Sequence, residues 1–334
     1  MKYLLYPLQF DTPVHFGTAE NGGRLEQSDI LYRADTLFGA LCCELALEHD
    51  EAEIDHLYEL SKKDAILFSD LFPYSTDGRD FSFYLPKPIL SIPRKQNDIQ
   101  DYEAFRRTAT LQKKQKKLKY LKASDFPAFL QSLQTGKVSE WPSVSFCEDA
   151  LMVRVNKSEE IPRPYYVSQV TFSAQAGLYG ILAYEKEADA DWILNLLESL
   201  GLTGIGGKRS SGYGKFHLLT PFKQNKKASA SKDADALFKD LAAEKAKHFM
   251  ALSTFLPVKK ELHFLKEGQY SLCKRSGFLS PEGLSARKKC DVYMVQSGSC
   301  FHRKLKGRIA DVASDGSSHP VWRYGKSIYL GLMI

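Results

Sequence analysis

A loop with five glycines in eleven residues, interrupted by two cations and two hydroxyls, constrains this chain more than any other feature. It reads Gly-Ile-Gly-Gly-Lys-Arg-Ser-Ser-Gly-Tyr-Gly and covers residues 204–214. Because glycine has no Cβ, backbone N–H groups in such a loop can approach a bulky anion closely. Lys208 and Arg209 add positive charge, and Ser210 and Ser211 add hydroxyl donors. The composition of this glycine-rich loop therefore suits the phosphates of a nucleotide chain.

The elements on either side of the loop argue against the two common nucleotide-binding loops. Apolar spacing over residues 189–200 predicts an amphipathic helix before the loop, and residues 215–219 are typical of a strand after it. A Walker A loop and a dinucleotide fingerprint both need the order strand, loop, helix, and Arg209 stands where the fingerprint has its third glycine. A plain glycine cap and turn is the remaining alternative, but a cap needs one glycine and no cationic cluster.

The loop resembles the signature loop of the RAMP superfamily, the repeat-associated RNA-binding proteins of CRISPR systems. Four further stretches narrow this resemblance; in chain order they are His15-Phe16-Gly17, Ala34-Asp35-Thr36-Leu37-Phe38-Gly39-Ala40-Leu41, Leu85-Pro86-Lys87-Pro88 and Arg323-Tyr324-Gly325-Lys326. In that order they are similar to the fourth-subunit family of type III-A (Csm) effector complexes, which caps the 5′ handle of the guide RNA. The resemblance runs from about residue 2 to the end of the sequence.

Apolar runs predict strands at residues 3–10, 170–172, 177–184 and 249–258, and helices are predicted at 51–62 and from about 235 to 248. The order of predicted elements gives the fold class, α+β. Residues 1–222 read as a ferredoxin-like (RRM-like) RAMP domain with a long insertion at about 51–165. Residues 223–236 are polar and poor in apolar side chains, which favours a linker. Residues 237–334 then form a second, degenerate ferredoxin-like domain. Asp35 is predicted to cap the first helix, and Leu85 to Pro88 to form a stiff extended arm outside regular structure.

By resemblance, the chain is a non-catalytic subunit of a type III-A effector in RNA-guided antiviral defence. It would bind the single-stranded 5′ handle of the crRNA and connect the large polymerase-like subunit to the backbone RAMP subunits, with no cofactor and no metal. The expected RNA contacts are Gly204, Gly206, Gly207, Lys208, Arg209, Ser210, Ser211, Gly212 and Tyr213, together with His15, Arg33, Lys87 and Arg154.

His15 supports an alternative, a metal-independent endonuclease that cuts repeat RNA. Some RAMP relatives use a histidine near this loop as an acid or a base. Such a cut uses the RNA 2′-OH as nucleophile, so a base and an acid must flank one phosphate. The sequence offers His15 and no second group at a legible spacing. A histidine that hydrogen-bonds the loop or stacks on a base is the other interpretation.

Charge and aromatic side chains leave two further alternatives open. The net charge is +6, and residues 106–122 carry eight cations and no acid. This segment either contacts phosphates or serves solubility in a protein-only assembly adaptor. The loop cations of Lys274-Arg275 and Lys288-Lys289 leave the same choice between RNA contact and solubility. Tyr165 and Tyr166, near a predicted hairpin, either stack on bases or stabilise the hairpin and the core.

Cysteine spacing and hydropathy set the remaining expectations. None of the six cysteines forms a C-x-x-C pair, so we expect reduced, structural thiols without metal. No apolar run approaches the ~20 residues of a membrane span, and the first residues do not read as a signal peptide. A soluble, cytoplasmic protein is expected.

Overall fold

A computed structural model describes residues 1–17, 24–47, 51–91, 101–137, 139–156, 162–224, 231–279, 287–314, 317 and 319–333 of the chain. Elements up to residue 223 are β1 (Lys2–Phe10), α1 (Ala34–Leu47), α2 (Glu51–Lys62), β2 (Ile66–Phe68), β3 (Phe72–Thr76), β4 (Phe81–Pro86), α3 (Tyr102–Lys117), β5 (Tyr120–Lys122), α4 (Phe126–Thr135), β6 (Cys147–Asn156), β7 (Arg163–Phe172), β8 (Ala176–Tyr184), α5 (Glu187–Thr203), β9 (Phe216–Leu218) and β10 (Phe222–Lys223). Later elements are α6 (Lys232–Leu241), β11 (His248–Ala251), β12 (Leu272–Arg275), β13 (Phe278–Leu279), β14 (Arg287–Lys288), β15 (Val292–Val295), β16 (Cys300–Phe301), β17 (Ala310–Asp311), β18 (Trp322–Arg323) and β19 (Tyr329–Leu332). Short 3-10 helices lie at Ala123–Asp125, Arg209–Ser211 and Lys259–Glu267.

An eight-stranded antiparallel sheet organises the first part of the chain. Its strands follow the order β10, β1, β8, β3, β4, β5, with β9 also paired to β1 and β2 also paired to β8. Alternate residues of β1 enter different cores: Leu4, Tyr6 and Leu8 pack with α1 and α5, and Leu5 packs on the opposite face with α4 and α6. Both faces of the sheet are covered, which explains why β1 is apolar almost throughout.

Part of the predicted insertion belongs to this sheet. Strands β2 and β3 pair with β8, so residues 66–76 supply the sheet strand that the sequence places at Val170–Phe172. The latter residues lie instead in β7, which pairs along ten residues with β6 in a separate two-stranded hairpin. We call β6 and β7 the long hairpin. Most residues of β6 are exposed, and the exposed set includes Leu151, Met152, Val153 and Val155.

The predicted linker is ordered where the structure describes it. Lys223 pairs with Leu4 at the sheet edge, and its ammonium contacts Glu187 and Asp191. Helix α6 begins at Lys232, three residues before the predicted start, because Ser231 accepts a hydrogen bond from the Ala234 N–H as an N-cap. The apolar face of α6 then packs with α4 on the face of the sheet to which Leu5 points. Residues 225–230 of the predicted linker lie outside the described residues.

The later part of the chain has shorter strands than predicted. A three-stranded sheet has the order β16, β11, β19, and two-stranded pairs join β12 to β15, β13 to β14 and β17 to β18. The strand predicted at 249–258 ends at Ala251, and residues 252–256 continue as irregular backbone that is buried. Burial alone therefore explains the apolar run that suggested a longer strand.

Asp70 joins the two parts of the chain and also corrects the predicted helix cap. Its buried carboxylate accepts hydrogen bonds from the Ala34 N–H (2.8 Å), the Thr254 N–H (2.9 Å) and the Thr254 hydroxyl (2.8 Å). The first turn of α1 is therefore capped by a residue 36 positions away, and not by Asp35. The Tyr324 hydroxyl adds a second buried link, since it accepts from the Phe68 N–H at 2.9 Å.

Asp35 instead sits inside a buried ion cluster. Its Oδ2 accepts from Arg275 Nε at 2.9 Å and from Arg323 Nη1 at 2.6 Å, and its side chain has no exposed surface. Burial alone would raise the pKa of this carboxyl, but the charges and hydrogen bonds of the two arginines lower it below its ordinary value. We call this arrangement the Asp35 clasp. It fixes the start of α1 to β12 and β18.

Removing the Asp70 carboxylate should destabilise the fold strongly. Asp70→Ala leaves three buried donors without their acceptor, which we expect to cost about 3–5 kcal/mol in urea-induced unfolding. Asp70→Asn keeps one carbonyl acceptor and should cost less. Asp55→Ala, on the exposed side of α2, is the control and should change stability by less than about 0.5 kcal/mol. Equal stability of the Asp70→Ala and Asp55→Ala variants would contradict the assignment.

The Asp35 clasp should also make stability depend on pH. Because the folded-state pKa of Asp35 lies below its ordinary value, the ionised carboxylate stabilises the fold above about pH 4 and loses this effect as the pH falls through the folded-state pKa. Asp35→Asn should therefore cost about 3 kcal/mol at pH 7 and progressively less as the pH falls from about 4 to about 2. Urea unfolding across this range measures the difference, and a gap that stays constant or widens on acidification would argue against it.

Candidate nucleic-acid interface

The base of the glycine-rich loop is closed by its own backbone. The Gly204 N–H donates to the Leu200 carbonyl at 2.7 Å and ends α5, and the Ile205 N–H donates to the Gly214 carbonyl at 3.0 Å. Gly214 has φ +80°, and a Cβ there would overlap the Ile205 carbonyl oxygen. The loop therefore closes only with glycine at its last position.

Other glycines let the loop pack against residues 13–16. The Gly207 N–H donates to the His15 carbonyl at 2.8 Å, and the Gly214 N–H donates to the Pro13 carbonyl at 2.9 Å. A Cβ at Gly206 would lie 2.7 Å from the His15 carbonyl oxygen. The sequence predicted that the Gly204 and Gly207 amides contact phosphate, but both amides already have acceptors within the protein. These glycines serve the packing of the loop.

The cations and hydroxyls of the loop remain available at its tip. Ser210 and Ser211 are exposed and, with Arg209, form a short 3-10 turn that Gly212 ends at φ +84°. A Cβ at Gly212 would meet nothing within 4 Å, so here the backbone conformation, and not packing, requires glycine. The tip is thus an exposed, cationic, hydroxyl-bearing turn held by a rigid base.

The two adjacent cations of the loop lie in different surroundings. Lys208 has a left-handed backbone with φ 62°, and its Nζ lies 5.0 Å from the centre of the Tyr165 ring on the long hairpin. Arg209 and Arg33 line a cleft that lies between α1, the glycine-rich loop and β18. The loop therefore carries one cation toward the hairpin and one toward the cleft.

Arg154 and Tyr213, both predicted contacts, meet at the hairpin. The Arg154 guanidinium donates to the Tyr213 hydroxyl at 3.2 Å, and this hydroxyl donates to Gln169 Oε1 at 2.9 Å. Tyr213 itself is buried, so its ring positions Arg154 and leaves no face for a base. Tyr166 is 47% exposed, so its side chain is not part of the core. Tyr165 is half-buried, and the Lys208 ammonium lies over its ring.

His15 is buried between the loop and the hairpin. Its Nδ1 lies 2.8 Å from the Ser168 carbonyl oxygen, and its side chain is only slightly exposed. Because a carbonyl can only accept, Nδ1 must carry the proton in this contact. A Cβ at Gly207 would lie 2.9 Å from His15 Cδ2, so the ring packs directly under the loop. The His15 side chain therefore bonds to β7 of the long hairpin and packs under the glycine-rich loop, while the loop bonds to the His15 backbone carbonyl.

Arg33 and Arg209 lie in a cleft of about 340 Å³ bounded by α1, the glycine-rich loop and β18. The cationic residues that line this cleft are Arg33, Arg209, Arg275, Lys289 and Arg323, and its acidic lining residue is Asp35. The sequence identified Arg33 and Arg209 as contacts but took Arg275 and Lys289 for loop cations of either RNA binding or solubility. Arg323 was visible within the Arg-Tyr-Gly-Lys stretch, without an assigned role.

Lys87 is not brought to the loop. Its ammonium donates to the carbonyls of Gln115 (3.1 Å) and Lys116 (3.0 Å), which satisfies the end of α3, and burial lowers its pKa. Pro86, predicted to lie outside regular structure, is the last residue of β4 and pairs with Tyr120 of the edge strand β5. The structure thus gives Lys87 a structural contact that its position between two prolines did not reveal.

Most of the basic segment, residues 106–122, lies in the exposed helix α3, and its last residues form β5. Acids from outside the segment pair with three of its cations: the buried Asp233 with Lys122 and, at the exposed surface, Glu103 with Arg107 and Glu140 with Lys114. Exposed ion pairs of this kind contribute little to stability.

Within the described residues, no three metal-ligating side chains come together. In that same part of the chain, no helix has the length and apolar character needed to cross a bilayer.

Comparisons with known proteins give the chain its family. The sequence profile of the RAMP superfamily matches residues 8–217, and that of the CRISPR Csm4 C-terminal domain matches residues 244–332. The "CRISPR system Cms protein Csm4" of Mycobacterium tuberculosis (strain CDC 1551 / Oshkosh) is 31% identical over 337 residues, covering 99% of this chain and 98% of the relative.

Two solved structures share the fold at low identity. One chain of a Csm1–Csm4 cassette in complex with pppApA matches with a TM-score of 0.60 and 20% identity, over 99% of this chain and 98% of that one. One chain of a Csm3–Csm4 subcomplex of the type III-A CRISPR-Cas interference complex matches with a TM-score of 0.59 and 15% identity, over 99% of each. Since the superfamily profile spans more than half of the sequence and a 31% identical relative spans nearly all of it, the chain belongs to the RAMP superfamily and, within it, to the Csm4 family.

Proposed function

We propose that this chain is a non-catalytic RNA-binding subunit of a type III-A CRISPR effector complex and that it holds the 5′ handle of the crRNA. The observation that carries the proposal is the exposed tip of the glycine-rich loop, with Lys208 on the hairpin side and Arg209 on the cleft side. A single strand that crosses this tip would meet cationic groups on both sides of the loop. Contacts of this kind recognise phosphates and do not depend on base sequence.

The fold supports an RNA-binding role. Strand β9 pairs with β1, β1 pairs with β8, and β8 pairs with both β2 and β3, all antiparallel, and α1 and α5 pack on one face. This order agrees with the βαββαβ arrangement of a ferredoxin-like domain, and we propose that the first domain is one. The second domain would be a degenerate relative, with its three-stranded sheet in the order β16, β11, β19.

The long hairpin supports a place in a larger assembly. Each of its strands has ten residues, which gives a length of about 30 Å at the usual rise per strand residue. Leu151, Val153 and Val155 of β6 are more than half exposed. An isolated two-stranded hairpin with such a surface is marginal in water, so a partner surface would stabilise it. Related Csm4 chains occur with Csm1 in one structure and with Csm3 in another. We propose that this chain likewise connects the large subunit to a backbone RAMP subunit.

The surroundings of His15 argue against the endonuclease alternative. In-line cleavage needs an accessible base and an acid on either side of one phosphate. His15 is buried, with Nδ1 committed to the Ser168 carbonyl, and its ring lies under Gly207. A structural role for His15, which supports the glycine-rich loop against the long hairpin, explains these contacts without any catalytic chemistry.

Removing the two cations of the loop should weaken RNA binding. Lys208→Ala/Arg209→Ala should lower the affinity for a single-stranded handle RNA about tenfold at low salt, because phosphate contacts are lost. The slope of log affinity against log salt should flatten by about 1 for the same reason. Fluorescence anisotropy of a labelled RNA at several salt concentrations measures both quantities.

Lys259→Ala/Lys260→Ala is the matched control for this measurement. It removes the same charge from exposed lysines of a 3-10 helix in the later part of the chain. We expect less than a twofold change in affinity for it. Equal losses in the two double variants would mean that net charge alone, and not the loop, attracts the RNA.

Substitution of His15 separates the positioning role from catalysis. His15→Asn keeps an N–H donor for the Ser168 carbonyl and should bind RNA within about twofold of the wild type. His15→Phe leaves that carbonyl unsatisfied and should cost about 1–3 kcal/mol of stability. Metal-free incubation with repeat RNA should leave the RNA intact for all three proteins; cleavage by the wild type that His15→Asn abolishes would establish the endonuclease instead.

A further inference from the structure

The cleft beside the glycine-rich loop carries far more positive than negative charge. Five cationic side chains line it against the single carboxylate of Asp35 among its lining residues. That carboxylate is fully buried and already bonded to both Arg275 and Arg323, so it is not available to balance the others. Burial and the nearby Arg323 charge lower the pKa of Lys289. Like charges concentrated in a concave surface favour an anionic ligand.

Arg323 is the most informative of these side chains. It is 7% exposed, and one of its nitrogens donates to Asp35. Its Nε and its other terminal nitrogen are buried and have no hydrogen-bond partner among the described residues, and the same holds for Arg33 Nε. Buried donors of a charged group that lack an acceptor are costly. Three such donors on two residues lining one cleft indicate a missing acceptor.

The cleft has the size and the donors for one phosphate-bearing unit. Its volume of about 340 Å³ lies at the small end of ligand sites and suits a single nucleotide. Planar guanidinium groups bind phosphate through paired, charge-assisted hydrogen bonds, and several of them around one site favour a group with several acceptor oxygens. Arg209 belongs to both the loop and the cleft, so the cleft continues the basic surface of the loop.

We propose that this cleft is a phosphate subsite, in which Arg33, Arg209, Lys289 and Arg323 hold one phosphate of a ribonucleotide chain. The subsite rests on the proposed RNA-binding function and adds to it a second point of attachment, built partly from the later part of the chain. The phosphate could be an internal diester or a terminal monoester, since both present the same oxygens. The Asp35 clasp orients Arg323 for this contact.

A charge-matched pair of variants tests the subsite on the full-length chain. Arg33→Gln/Lys289→Gln should weaken binding of an eight-nucleotide single-stranded RNA about tenfold and flatten its salt slope by about 1. Arg33→Gln/Lys288→Gln shares one substitution and moves the other to the exposed neighbour of Lys289, so it should lose about half of that effect on a logarithmic scale. Arg323→Lys keeps a charge for Asp35 but removes the orphaned guanidinium donors, and it should lose affinity while its melting temperature stays within a few degrees.

The outcomes distinguish this inference from the function on which it rests. If Lys208→Ala weakens binding but the Arg33→Gln/Lys289→Gln and Arg323→Lys variants do not, the cleft is no subsite and the loop assignment stands. If none of the variants weakens binding, both proposals fall. If the Lys288 and Lys289 double variants lose equal affinity, the effect attributed to Lys289 is non-specific and the subsite is refuted.

RNAs with a 5′-phosphate and with a 5′-hydroxyl identify the source of the phosphate. A loss for Arg33→Gln/Lys289→Gln that appears with both RNAs supports an internal diester. A loss confined to the 5′-phosphorylated RNA supports a terminal monoester. Adenosine monophosphate in excess serves as the free-nucleotide probe: full competition with RNA for the wild type, and none for the Arg323→Lys variant, would assign the cleft to a mononucleotide and overturn the RNA-chain form of the proposal.

Discussion

Direct contact between two stretches of backbone holds the candidate site together. The glycine-rich loop lies on residues 13–16 because Gly207 and Gly214 donate to the carbonyls of His15 and Pro13 with no side chain between them. This contact fixes the base of the loop, so its tip stands out at a defined place between the long hairpin and the cleft. A loop with ordinary side chains at these positions would be pushed away from the sheet, and the cations at its tip would lose their common orientation.

Two buried carboxylates connect the early and late parts of the chain by different means. Burial raises the pKa of Asp70, and its hydrogen bonds from Ala34 and Thr254 only partly oppose this effect. The guanidinium groups around Asp35 outweigh burial and lower its pKa. Asp70 therefore acts mainly as a hydrogen-bond acceptor for backbone and hydroxyl, whereas Asp35 acts as a charge. Both contacts end at α1, which makes the first turn of this helix the junction of the molecule.

The local patterns of the sequence predicted the local elements well. Apolar runs identified β1 and β8, which are covered on both faces of the sheet, and helical spacing identified α2 and α5, which bury apolar residues against nearby elements. The composition of the glycine-rich loop predicts contact with phosphate, which stays a prediction, and it did not reveal that the Gly204 and Gly207 amides bond to the protein itself. That information lies in the fold, since the acceptor of the Gly207 amide comes from a residue near the start of the chain.

Long-range partners explain what the sequence did not show. Asp35 looked like a helix cap, yet its partners Arg275 and Arg323 come from strands in the later part of the chain. Lys87 looked like an exposed cation on a proline arm, yet it meets the end of α3. The cleft is equally invisible in the sequence, because its lining comes from separated stretches. In each case a polar side chain had a plausible local role, and packing gave it a distant one.

The Asp35 clasp has a consequence for biosynthesis. Arg323 lies 288 residues after Asp35, and the hydroxyl of Tyr324 lies 256 residues after the Phe68 amide that it accepts from. During translation the earlier part of the chain therefore emerges with Asp35 and Phe68 still lacking these partners, and both contacts can form only after residue 324 has left the ribosome. A ribosome that stalls before this point would release a chain whose Asp35 carboxylate lacks Arg323, and incompletely folded chains of this kind are natural targets for proteolytic quality control.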